Sequence, residues 1–68
     1  MYIELTNPYT QDTQTCHNVV KVVFHFPDGD QIFTNADMFA VTSYTSLSVI
    51  LIDSEFHFNS DYRVTRLR

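Results

Sequence analysis

Short runs of alternating apolar and polar positions, separated by turn residues, organise this chain. Tyr2-Ile3-Glu4-Leu5-Thr6 alternates and predicts a first strand, ended by Asn7-Pro8 because proline constrains the residue before it. Residues 9–17 are polar and aperiodic, and predict a loop or an irregular edge segment. Val19 to Phe26, rich in β-branched and aromatic side chains, gives the clearest strand. Phe26-Pro27-Asp28-Gly29-Asp30 fits a type I turn in a three-residue hairpin loop with a bulge at Gly29. Gln31 to Thr34 then returns, with Phe24 opposite Ile32 and His25 opposite Gln31. Asn35 is a good N-cap for a short helix over residues 36–41, where Asp37 suits the helix dipole. Leu47 to Ile52 and Glu55 to Phe58 form a hairpin around Asp53-Ser54, with Ile52 opposite Glu55. Tyr62 to Leu67 closes the sheet. The expected fold is mainly β (α+β): one antiparallel sheet of about five or six strands with one short helix.

Alternation also assigns faces. Val20, Val22, Phe24, Phe26, Ile32, Val49, Leu51, Phe56 and Phe58, with Tyr62 and Val64, make an apolar core face. On the other face Val19, Val23, Ile50 and Ile52 flank Lys21, His25, Ser48 and His57. That face is only half polar, so the short helix and the segment at 9–17 are its expected lids.

Sixty-eight residues make a single domain, 1–68. A chain this short buries only about 60% of its unfolded surface, and such scaffolds usually add a staple. The one cysteine excludes an internal disulfide, which leaves a metal, a homodimer or efficient packing. The longest apolar run, Val49-Ile50-Leu51-Ile52, is far below the ~20 residues of a membrane span. Residues 1–20 lack a basic start and an apolar centre, so no signal peptide and no membrane partner is expected. A lone thiol fits a reducing, cytoplasmic setting.

The chemistry available is narrow. Phe-His-Phe occurs twice, at residues 24–26 and 56–58, and each copy sends two rings one way and an imidazole the other. With the adjacent Cys16 and His17, His25 and His57 are the candidate metal ligands, and zinc is the ion that cysteine and histidine suit. No paired spacing of a zinc finger is present. A straight strand would hold His17 and His25 about 26 Å apart, so they cannot share an ion within one chain. Two sites compete: Cys16 and His17 with His57, completed by Asp12, or His25 and His57 with Glu55, Asp28 or Asp30. A second subunit can add a ligand to either. The bland alternatives are hydrogen-bonded surface histidines and a buried, inert cysteine. No catalytic set or phosphate-binding glycine loop stands out, and no enzyme is expected.

Charge adds a partner class. Eight acids face Lys21 alone through residue 62, a net −7, before Arg63, Arg66 and Arg68 bring the chain to −4. Such a body disfavours direct nucleic-acid binding and favours basic protein surfaces. Asp28, Asp30, Asp53 and Glu55 gather at two turns, where they can stand in for phosphates on a nucleic-acid-binding protein. In length, acidity and β-rich build the chain resembles the small phage-encoded anti-CRISPR proteins. That resemblance implies stoichiometric inhibition of a CRISPR effector nuclease in the host cytosol, with zinc as a stabilising ion. It rests on general character over the whole chain and carries over no residue. The alternatives are a phage or bacterial structural protein that self-associates through a sheet edge and the Val19/Val23/Ile50/Ile52 patch, and a metal- or redox-sensing module acting through Cys16.

Overall fold

The computed structural model describes residues 1–35 and 43–68, and they form seven strands in two antiparallel sheets. The expected helix at 36–41 lies outside the described residues. β1 (Ile3–Asn7), β2 (Asp12–Cys16) and β7 (Arg63–Leu67) make a three-stranded sheet in the order β2-β1-β7. β3 (Lys21–Phe26), β4 (Gly29–Phe33), β5 (Ser46–Ile50) and β6 (Glu55–Asn59) make a four-stranded sheet in the order β4-β3-β5-β6. One sheet was expected and two are found, because alternation reports which side of a strand is buried but not which layer the strand joins.

The sheets bury their inner faces against each other. Ile3 and Leu5 of β1 meet Val22 and Phe24 of β3 and Leu47 and Val49 of β5, all fully buried. Phe24 anchors this core, packing on Phe33 at 5.7 Å and Tyr44 at 5.1 Å. Val19 also belongs to it, whereas Val20 is exposed, the reverse of the expected pair. Asn18 has a positive φ of 58°, which turns the chain before β3, and Val19 is tied to Met1 through both backbone directions.

Three further expectations need correction. Residues 12–16 are not a lid on the four-stranded sheet: β2 pairs with β1 in the other layer, Asn7 opposite Asp12 and Ile3 opposite Cys16. Asn7 closes that hairpin, its buried side-chain oxygen accepting the N–H groups of Tyr9 and Thr10. The β3–β4 hairpin has a two-residue loop, Pro27-Asp28, and pairs Phe24 with Gln31 and His25 with Asp30, one residue from the expected register. The slip turns Phe33 inward onto Phe24 and leaves Ile32 outward at 59% exposure. In the β5–β6 hairpin Val49 lies opposite Phe56 and Leu47 opposite Phe58, a shift of two that preserves the faces. Phe56 nevertheless stays half exposed, because β6 is a sheet edge.

No helix among the described residues is long and apolar enough to cross a membrane.

Candidate functional site

The outer face of the four-stranded sheet carries the chemistry. Register places Val23, Ser48 and His57 side by side across β3, β5 and β6, with His25 one pleat further along β3 beside Asp30 of β4. The side chains join into one diagonal chain across all four strands. Asp30 Oδ1 lies 2.9 Å from His25 Nδ1, and His25 Nε2 lies 2.9 Å from Ser48 Oγ. Ser48 Oγ lies 2.8 Å from His57 Nδ1, and His57 Nε2 lies 3.7 Å from Glu55 Oε1.

With both imidazoles neutral, one arrangement of protons satisfies every hydrogen bond in it. His25 donates Nδ1–H to Asp30 and accepts the Ser48 hydroxyl proton at Nε2. The Ser48 oxygen then accepts Nδ1–H from His57. His57 Nε2 is left facing Glu55 Oε1 at 3.7 Å, beyond hydrogen-bond distance. Ser48 is only 3% exposed, while the carboxylates at both ends are open to solvent.

Asp30, His25 and Ser48 stand in the hydrogen-bond order of a nucleophilic triad. Two features argue against attack from Ser48. Its hydroxyl is covered and already holds a second imidazole, and its strand lies between β3 and β6, where backbone N–H groups serve the sheet ladder.

Among the described residues, no group of three or more His, Cys, Asp or Glu converges to hold a metal ion. The structure brings His25 and His57 together through Ser48, but two imidazole nitrogens fall short of the three or four ligands of a zinc site. Cys16 and His17 lie at and just beyond the end of β2, in the other sheet from His57. Cys16 packs against the core, and burial raises its thiol pKa, which disfavours the thiolate. His17 rests on the Tyr2 ring at 4.8 Å.

The two acidic turns do not share one tip. Asp28 sits in the β3–β4 turn and Asp53 in the β5–β6 turn, and since β3 and β5 are antiparallel these turns mark opposite ends of the sheet. Asp30 and Glu55 occupy opposite corners of the outer face between them. The Val19/Val23/Ile50/Ile52 patch does not form: Val19 and Val23 are buried, and Ile52 stands alone in a turn at 92% exposure.

In the sequence Ser48 is one of four polar or charged positions expected on the outer face, and only the register that places it between two histidines reveals its role. A second polar seam joins the layers elsewhere. Tyr62 donates its hydroxyl to Asp12 at 2.6 Å, and Tyr44 donates to the Tyr62 carbonyl at 2.5 Å. The bond from Tyr62, with help from Gln14, holds the Asp12 carboxyl below its ordinary pKa, and the same bond raises that of Tyr62.

Protein-family models, curated proteins and solved structures were compared with the chain, and none matches. The class is therefore defined by the fold and the site: a two-sheet antiparallel β protein with a hydrogen-bonded histidine–serine strip between exposed carboxylates.

Proposed function

We propose that this protein is an acidic binding module that docks on a basic, nucleic-acid-facing surface of a partner protein and keeps nucleic acid off it. Inhibition of a CRISPR effector nuclease is the form of that activity that the chain's general character favours. One observation carries the reading. Among the described residues no Lys or Arg lies within 4.0 Å of a carboxylate, and the basic side chains that do are His25, beside Asp30, and His57, beside Glu55. Asp28, Asp30, Asp53 and Glu55 thus keep negative charge along the exposed length of one sheet. Their spread matches an extended basic channel better than a single small socket. The strip through Ser48 supports the role by fixing the histidines that hold Asp30 and face Glu55.

The role proposed is binding rather than catalysis, and it does not depend on a zinc ion. The test is co-purification with guide-loaded single-protein CRISPR nucleases, followed by cleavage assays with added protein. Stoichiometric inhibition relieved by excess guide or target is the expected result. Full cleavage at saturating inhibitor, with no complex formed, would reject the nuclease as partner.

A further inference from the structure

We propose that β6 is a self-complementary edge and that two copies of this chain pair through it, joining their four-stranded sheets into one of eight strands. This stands independently of the partner proposed above.

The argument begins with the ladder. Leu51 N–H donates to the Ser54 carbonyl at 2.9 Å, which marks Leu51 and Ser54 as a hydrogen-bonded pair. Such pairs alternate along an antiparallel ladder. Val49/Phe56 and Leu47/Phe58 are therefore hydrogen-bonded pairs, and Ile50/Glu55 and Ser48/His57 are not. The backbone groups of Glu55, His57 and Asn59 consequently point away from β5, toward the open edge. Edges are usually guarded by proline, lysine or a bulge. β6 has no proline or lysine, and its register with β5 runs without a break.

The sequence of β6, Glu-Phe-His-Phe-Asn, reads almost alike in both directions about His57. A twofold axis through His57 therefore sets like against like. His57 meets its own copy and exchanges two backbone hydrogen bonds with it. Asn59 N–H reaches the Glu55 carbonyl of the second copy, and the reverse, giving about four bonds in all. The Asn59 carbonyl is already engaged by Tyr62 N–H at 3.2 Å. On the inner face Phe56, 48% exposed in the single chain, lies against Phe58 of the second copy, twice over. On the outer face Glu55 lies against Asn59 rather than against its own copy, so the two carboxylates are not set opposite each other.

The other edges fit less well. The same operation on β4 sets Asp30 against Ile32, on β7 it sets Arg66 against Val64, and on β2 it sets Asp12 against Cys16.

Sedimentation velocity on the full chain, from micromolar to millimolar at low salt, tests the proposal with two variants. Asn59→Glu puts a carboxylate opposite Glu55 of the second copy at both symmetric positions, and Asn59→Lys puts an ammonium there. Both lose the Asn59 oxygen that accepts Asp61 N–H, so damage to the turn moves them together. The expected result is a monomer–dimer equilibrium for the natural chain. Its Kd rises about three- to tenfold in Asn59→Glu and falls by a similar factor in Asn59→Lys. The proposal is overturned if the natural chain and Asn59→Lys stay monomeric throughout, or if a dimer's Kd moves the same way, or not at all, in both variants.

Discussion

A hydroxyl has one proton to give and two lone pairs to offer, and Ser48 uses them to link His25 and His57 under a covered surface. Replacing it leaves two ring nitrogens facing each other across a gap. Ser48→Ala is expected to destabilise the fold by about 1–2 kcal/mol. Urea unfolding should show the loss as a lower midpoint at unchanged slope. The Tyr62–Asp12 bond gives a pH signature with two limbs. Asp12 has a folded pKa below its ordinary 3.8, so its contribution is complete above that value and is lost as pH falls through the folded one. Tyr62 has a folded pKa above its ordinary 10.0, so its contribution is complete below that value and is lost as pH rises through the folded one. Tyr62→Phe should therefore flatten both ends of the Tm-against-pH curve. An unchanged acid limb in that variant would show that other carboxylates govern it.

At the scale of elements, hairpin loops decide what alternation leaves open. The strands around Ile3, Val22, Val49, Phe56 and Val64 were legible because each carries β-branched or aromatic residues between turn signals. The strand at Asp12–Cys16 was not, since its exposed threonines and glutamine look like loop and only its two ends are half buried. Register was legible only to within one or two residues. A slip of two in β5–β6 cost nothing in facing, whereas the slip of one in β3–β4 exchanged Ile32 for Phe33 in the core and set Asp30 beside His25. The site was thus half legible: the two histidines and two of its acids stood out, while Ser48 needed the true register. Gly29 fixes that register, with φ at +144° and open space around the position of a side chain. Gly29→Ala should cost about 1–3 kcal/mol through backbone strain alone, measured by thermal or urea unfolding. A loss below 0.5 kcal/mol, on the order of an ordinary surface substitution, would contradict a fixed loop geometry.

Taken whole, the molecule separates its labours by layer. The inner faces of both sheets make one core, and the outer face of the larger sheet holds the histidine–serine strip and the exposed carboxylates. The Cα radius of gyration is 11.1 Å, close to the ~11 Å of a folded domain this long, so the small core still closes the structure. The acidic field is then set by where the charges sit. Arg63, Arg66 and Arg68 lie on or beside β7 in the other sheet, with Arg68 over the Tyr2 ring at 5.2 Å, and among the described residues no Lys or Arg pairs with the outer-face carboxylates. Long-range attraction to a basic surface follows, and salt must weaken it. The most direct test is the salt dependence of Kd for a captured nuclease partner, measured for the natural chain and for the quadruple variant Asp28→Asn, Asp30→Asn, Asp53→Asn, Glu55→Gln. The account predicts that affinity falls steeply with added salt, and that the variant binds at least about tenfold more weakly with a shallower slope. Equal affinity and equal slope in the two proteins would contradict it.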